Sequence, residues 1–396
     1  MTRVHLAFFT AINVLNYLDR YLVAAVLPLI MAGMSLSNEE GGRLVSAFVF
    51  GYFLFSPVFG YLGDRWHRPM LMCIGIVGWS LATIATGFAQ TFLWFFLIRM
   101  AVGVGEASFS TIAPGYLRDR VNDPVRLNSV LSIFFAAIPV GSALGYVVGG
   151  YLGQHYSWQT AFFVGGLPGL LLGVLLLRFR EVRRTAAVGE PVLAGLRAIG
   201  RSRVLVLAIL GYVLNSFALN GVAAFVSKHG LTLGFDLAGI NASFGQILVL
   251  AGVIGTVGGG RLASRLATGA PEPTRVLFRF LGVTGLLATP FLLGAFLVED
   301  RTAFLWLCFA AEVLIFAGTA PVNSIIVSAA PEGAVTLTQG VTIFALNLFG
   351  ALLAPILVGA VADATSLQGA LQGLALPLGL SGVVWYLGGL KPPARG

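Results

Sequence analysis

Charge is scarce in this chain. Of its 396 residues, 10% are Asp, Glu, Lys or Arg, while 57% are hydrophobic. An ordinary soluble domain carries about 25% charged residues. A globule of this length would have too little charge to cover its surface, so much of that surface must face lipid. Cysteine is almost absent as well. Cys73 and Cys308 are the two present, and both fall inside apolar runs. They imply no disulfide framework, and neither has histidine neighbours suggesting a metal. The four histidines, His5, His67, His155 and His229, lie at run ends or in loops. That placement excludes a Ser–His dyad or a zinc cluster deep in a membrane. No GxxxxGK(S/T) loop occurs, which removes ATP hydrolysis by that route. No catalytic residue, metal site or cofactor is expected, and the chain does not read as an enzyme.

Long apolar runs are what the sequence has instead. A helix needs about 20 apolar residues to cross a hydrocarbon core about 30 Å thick. Twelve such runs are predicted near 5–32, 40–62, 69–88, 92–117, 127–152, 158–178, 204–227, 238–260, 275–297, 302–325, 337–361 and 369–390. They are too long and continuous for barrel strands, which alternate in short segments. The first run is too long for a secretory leader, carries Asp19 and Arg20, and meets no small-residue cleavage site. It is expected to be the first membrane helix. The 51 glycines suit closely packed, bendable spans.

The cations set an orientation. With the N-terminus in the cytoplasm, 19 of the 24 Lys and Arg residues fall in cytoplasmic segments. Arg43, Lys228 and Arg301 fall outside, and Arg20 and Arg99 within spans. The positive-inside rule then predicts both termini in the cytoplasm. Topology accounts for the net charge of +8, so no nucleic-acid partner is implied. The longest polar stretch, about 179–203, separates an N-terminal bundle (1–178) from a C-terminal one (204–396). Its Pro191–Ile199 part has the pattern of a short amphipathic surface helix. A trace of repetition links the two bundles. Gly60-Tyr61-Leu62-Gly63-Asp64-Arg65 after the second span matches Gly260-Arg261-Leu262-Ala263-Ser264-Arg265 after the eighth in Gly, Leu and Arg. Internal repeats are a hallmark of transporter folds, with the substrate site between them.

The segment GYLGDRWHRP, residues 60–69, resembles the loop signature of the major facilitator superfamily, with Pro69 departing at the last position. That resemblance implies an all-α membrane fold of twelve helices in two pseudo-symmetric six-helix bundles. It also implies a gating group of Gly60, Asp64 and Arg65, with Asp64 at the start of the eleventh helix and Arg65 on Asp119. NYLDRY (16–21), GYLGDR (60–65), RMAVGVGEASFSTIAP (99–114) and AIPVGSALGYVVG (137–149) are similar to the Spinster branch of that superfamily. Cruder agreement continues around Glu312, TLTQ and APILVGAVAD. Spinster proteins carry lysophospholipids and sphingosine-1-phosphate. The short ends of this chain suggest a bacterial homologue, multi-pass in the cell's inner membrane.

Ionisable groups at mid-span are costly and usually functional. Here they are Asp19, Arg20, Arg99, Glu106 and Glu312. Asn13, Asn16, Tyr17 and Arg20 recur at helical spacing on one face, with Asp19 beside it. Arg99 and Glu106, seven apart, share a face of the fourth span. A network of Arg20, Asp19, Glu106 and Arg99 is therefore expected. Burial works against a carboxylate's charged form, and a neighbouring guanidinium works for it. Exchange of that pairing could switch a proton on and off, with Glu106 the first candidate and Asp19 the second. A permanent salt bridge pinning the two helices is the structural alternative. Arg20 and Arg99 are candidates for an anionic head group, because a guanidinium fork matches phosphate oxygens. Asn16, Tyr17 and Glu312 complete the candidate substrate site. The glycines of the fifth span read either as close packing or as a hinge. The expected function is a monomeric, proton-coupled secondary transporter working by alternating access. Its expected partners are protons, the bilayer and an amphipathic lysolipid; an exporter of drugs or a porter of small organic anions is the alternative.

Overall fold

A computed structural model describes residues 3–63, 65–121, 124–181, 192–331 and 335–390. Twelve helices are long and apolar enough to cross a membrane, and no strand occurs among the described residues. They are α1 (Val4–Met34), α2 (Asn38–Gly63), α3 (Arg68–Thr86), α4 (Phe92–Arg118), α5 (Val130–His155) and α6 (Trp158–Arg178). After the linker come α7 (Arg203–Thr232), α8 (Leu237–Ala267), α9 (Pro273–Ala295), α10 (Arg301–Ser328), α11 (Leu337–Ala364) and α12 (Leu367–Gly388). Each coincides with one of the twelve predicted runs. The linker also holds a helix at Val192–Arg201, whose Ile199 packs into a core with Leu205, Phe278 and Trp385.

The turns are short, and most of the helix starts that follow them are capped by side chains. A helix leaves its first N–H groups without intrahelical partners, and Ser, Thr and Asp side chains satisfy them. Ser37 and Glu40 form a reciprocal capping box on α2, Ser37 Oγ accepting from Glu40 N at 3.2 Å. Thr91 accepts from Trp94 N on α4 and Ser157 from Thr160 N on α6. Asp236, Asp300 and Ser366 do the same for α8, α10 and α12. The Asp236 carboxyl is held below its usual range, first by the Gln154 amide at 2.8 Å. α8 overruns its predicted end by more than any other helix. α8 continues to Ala267, so the Gly260–Arg265 repeat lies inside a helix rather than in a loop. The next left-handed position, where a helix readily stops, is Gly269 at φ +76°.

The chain divides into two compact units. The first comprises Met1–Ala186 with Ala224–Gln246, and the second Ala187–Ala223 with Ile247–Gly396. Aromatic rings fill one core of the first unit, where Phe9 stacks on Phe109 and Tyr116, and Trp79 meets Phe109 edge-on. In this unit the α7–α8 turn is tied to α1, α2 and α5. Lys228 Nζ donates to Asn38 Oδ1 at 2.6 Å, Asn241 Nδ2 to Ala25 O at 3.1 Å, and Ser227 Oγ to Asn241 Oδ1 at 2.8 Å. In the second unit Trp385 closes the core and donates its indole N–H to Ala208 O at 3.2 Å. Exposed Leu54, Leu93, Leu171, Leu286 and Leu376 form the kind of surface that suits lipid. Trp66, Trp94 and Trp306 are exposed close to helix ends, where amphipathic rings favour the membrane interface.

Missing side chains let α2 approach α4, and α5 approach α1, at backbone distance. In α4, a Cβ on Gly103 would lie 1.9 Å from Phe48 O of α2, and one on α2's Gly51 would lie 2.1 Å from Met100 O. In α5, Cβ atoms on Gly141 and Gly145 would lie 2.4 Å from Val14 O and 2.5 Å from Leu18 O of α1. The α5 glycines thus serve backbone contact with α1. Two π-helical stretches, Ile254–Gly259 in α8 and Leu346–Leu352 in α11, interrupt the second unit's helices. Such stretches recur at functional positions.

Candidate functional site

The four charges of α1 and α4 meet inside the first unit as two ion pairs. Arg20 Nε donates to Glu106 Oε2 at 2.6 Å, and Arg99 Nη1 reaches Asp19 Oδ2 at 3.3 Å. Arg99 Nη2 also lies 3.5 Å from the Asp19 carbonyl. The pairing follows from helix geometry. Adjacent residues on α1 diverge by about 100°, while Arg99 and Glu106 lie about two turns apart on one face of α4. The two α1 charges therefore reach different levels of the same α4 face.

Three uncharged residues complete the site, and nothing in the sequence marks them. Thr83 of α3 donates to Asp19 Oδ2 at 3.0 Å. Phe48 and Tyr52 of α2 join Tyr17 in a ring of aromatics around Arg20, with centroids 5.4, 4.8 and 4.7 Å from its guanidinium carbon. A guanidinium over an aromatic face is attracted by the ring quadrupole. The Gly103 contact is what brings Phe48 and Tyr52 there, since its missing Cβ faces the Phe48 carbonyl and the Tyr52 amide.

Several polar atoms of this cluster have no hydrogen-bond partner among the described residues. They are Asn16 Oδ1 and Nδ2, Asp19 Oδ1, Arg20 Nη2, Arg99 Nε and Glu106 Oε1. Unpaired buried polar atoms are rare in proteins, and each calls for an explanation. The Arg20 side chain is 13% exposed, against 0 to 2% for its three charged neighbours. Arg20 is thus the member of the network within a ligand's reach, while Arg99 is sealed against Asp19.

The gating group is arranged differently from its expectation. Asp64 lies outside the described residues. Asp119 takes its ion pair from Arg68, Nη1 to Oδ2 at 2.8 Å, with a longer contact from Arg118. Arg65, expected on Asp119, instead sits 3.7 Å over the ring of Tyr61, one turn back along the chain. The turn geometry decides this. Arg68 opens α3 and is clamped from the other side by Glu181, which accepts from its backbone N at 2.6 Å and its Nε at 3.0 Å. That clamp aims the guanidinium at Asp119. Gly60 faces Thr111 of α4 with space for a side chain, a Cβ lying 3.8 Å from Thr111 Cγ2. Replacing Arg68 with Gln leaves the 2%-exposed Asp119 carboxylate without its buried partner. A loss of about 3–5 kcal/mol is expected, read as a large fall in melting temperature in detergent, whereas Arg65→Gln should change it by no more than about 1 kcal/mol.

Glu312 stands in the second unit. It is 4% exposed on α10, and its Oε2 has no hydrogen-bond partner among the described residues.

The Major Facilitator Superfamily model matches residues 9–352. The chain belongs to that superfamily. Within it, the relatives are of the Spinster type. The fruit-fly "Protein spinster" (Drosophila melanogaster) is 32% identical over 79% of this chain, and the match covers 53% of the fly protein, so the chain spans about half the length of that relative. The "Probable sphingolipid transporter spinster homolog 1" of Arabidopsis thaliana is 30% identical over 79% of this chain and 73% of the relative. Among solved structures, a bacterial homologue of the human lysosomal transporter Spinster, in an inward-facing and occupied conformation, superposes with a TM-score of 0.86. That superposition covers 97% of this chain and 96% of the other at 20% identity, which shows the fold. The family is one of transporters rather than enzymes, and the relatives of this chain within it are of the Spinster type.

Proposed function

We propose that this chain is a secondary transporter working by alternating access and coupled to protons, and that it moves an amphipathic lysolipid or a related anionic lipid. The observation that carries the reading is the double ion pair with its unpaired carboxylate oxygens. Glu106 carries the coupled proton. Its Oε2 is held by Arg20, while Oε1 stays without a partner among the described residues. Protonation of Glu106 would release Arg20, and deprotonation would recapture it. Asp19, held by Arg99 and Thr83, is the second carboxylate of the relay.

Arg20 supplies the contact to an anionic head group, because its Nη2 has no partner among the described residues and its side chain is partly exposed. A phosphate on Arg20 and a carboxylate on Glu106 compete for one guanidinium. Substrate and proton therefore become linked at a single side chain. Asn16 and Tyr17 flank that position, and Arg99 acts on the substrate through Asp19. Glu312 lines the substrate path of the second unit. Gly60, Asp64, Arg65 and Asp119 are the proposed gating residues, and the Arg68 clamp between Asp119 and Glu181 adds two more. The reading is further supported by the sphingolipid named for the Arabidopsis relative. The cation distribution supports an inner-membrane protein with both termini cytoplasmic, built as bundles 1–178 and 204–396 around the linker.

The test is flux in proteoliposomes. A fluorescent lysolipid should move faster under a pH gradient than without one, and a polar organic acid should not compete. Movement of the polar acid alone would sink the lipid reading. Lysolipid flux that ignores the gradient would sink the proton coupling.

A further inference from the structure

Glu312 has no role in the ion-pair network, and its surroundings are unlike those of the other buried acids. Asp19 and Glu106 each face an arginine, whereas Glu312 lies in the apolar middle of α10. The first part of α10 packs against α9 and against the π-helical stretch of α8. Two contacts fix the register with α9. A Cβ on Gly318 would lie 3.1 Å from Leu281 Cδ2, and one on Gly294 would lie 3.6 Å from Leu307 Cδ1. Glu312 is therefore level with α9 near Ala288. Arg279, the nearest cation along α9, lies nine residues from Ala288, about 13 Å away along the helix.

The α8 side is equally free of charge. The π-helical stretch meets α10 just after Glu312, where Cβ atoms on Gly255 and Gly259 would lie 2.5 Å from Val313 O and from Ala317 Cα. Residues 237–260 of α8 contain no ionisable side chain, and Arg261 and Arg265 come after the stretch. On α10 itself the ionisable residues are Arg301, at the helix start, Cys308 and Glu312. The buried Cys308 thiol, one turn back, interacts electrostatically with Glu312 and supplies no positive charge. A carboxylate taken out of water needs a cation or a set of donors, and without them the group neutralises instead.

We propose that Glu312 is a proton-binding site of the second unit, distinct from the Arg20–Glu106 and Arg99–Asp19 pairs of the first. The α10 side chain takes a proton where those pairs take a guanidinium. The second unit therefore carries a neutral carboxylic acid through the membrane, able to donate a hydrogen bond. Its proton can exchange without breaking an ion pair.

Protonation of Glu312 does not depend on the transport reading, and its test needs no flux. The full chain in lipid nanodiscs at neutral pH should show the infrared C=O stretch of a protonated carboxyl. Glu312→Gln should remove that band, Glu312→Asp should shift it, and Glu106→Gln should leave it in place. A hydrophobic carbodiimide, which reacts with protonated carboxyls in apolar surroundings, should modify the wild-type peptide containing Glu312. It should give no adduct there in Glu312→Gln. A band unaffected by Glu312→Gln and Glu312→Asp would overturn the proposal, as would a Glu312 peptide left unmodified.

Discussion

Glu106→Gln is expected to abolish proton-driven transport and to lower thermal stability together, and adding Arg20→Gln is expected to restore stability but not transport. A 2.6 Å bond joins Arg20 Nε to Glu106 Oε2, and Glu106 is fully buried. Removing one partner of such a pair leaves an uncompensated buried charge, at a cost of about 3–5 kcal/mol. Tyr17, Phe48 and Tyr52 recover part of that cost, because Arg20 stays over their rings. Removing both charges cancels the remaining penalty, since an ion pair in a protein interior is often no more stabilising than a neutral replacement. Transport separates the two meanings of the pair. If it only pins α1 to α4, the double variant is stable and active. If Glu106 carries the proton, the double variant is stable but not driven by a pH gradient, and the substrate exchange that survives the loss of Arg20 no longer responds to pH. Melting curves in detergent and flux under an imposed pH gradient give the two readouts.

The twelve membrane helices were legible in the sequence, and so were the residues of the central network. Length and lipid exposure demand continuous apolar runs, and a charge inside such a run stands out. Asp19, Arg20, Arg99 and Glu106 do share one site. Which acid meets which base was not legible, because it depends on the level at which α1 crosses α4. Thr83, Phe48 and Tyr52 carried no mark, since a threonine or an aromatic in a span is ordinary lipid-facing or core material. Their roles come from the α2–α4 and α3–α4 contacts, set by residues far apart in sequence. The gate shows the same limit at short range. Arg65 and Arg68 are three residues apart, and the choice between them on Asp119 rests on Glu181, more than a hundred residues later. The end of α8 differed for a local reason: the Gly260–Arg265 repeat matched a loop in composition, while no turn-forming residue stops that helix before Gly269.

Gly103→Ala should cost far more stability than the same change at Gly115, although both lie in α4. A Cβ at Gly103 would stand 1.9 Å from Phe48 O and 2.7 Å from Tyr52 N, both backbone atoms of α2. Backbone cannot rotate away as a side chain can, so the two helices must separate. Overpacking a core costs about 1–3 kcal/mol when neighbours can adjust, and a helix–helix backbone contact belongs at the top of that range or beyond it. At Gly115 nothing lies within 4 Å of the added atom. Alanine there removes glycine's entropic penalty in a helix, worth roughly 0.5–1 kcal/mol, so Gly115→Ala should melt at or above the wild-type temperature. The Gly103 variant carries a second consequence. Moving α2 away from α4 draws Phe48 and Tyr52 off Arg20, so whatever folded protein remains should bind anionic substrate differently from wild type. Equal melting temperatures for the two alanine variants would show that the α2–α4 contact is looser than the geometry implies. A stable Gly103→Ala protein with unchanged substrate affinity would show that the aromatic ring does not hold Arg20 for its substrate.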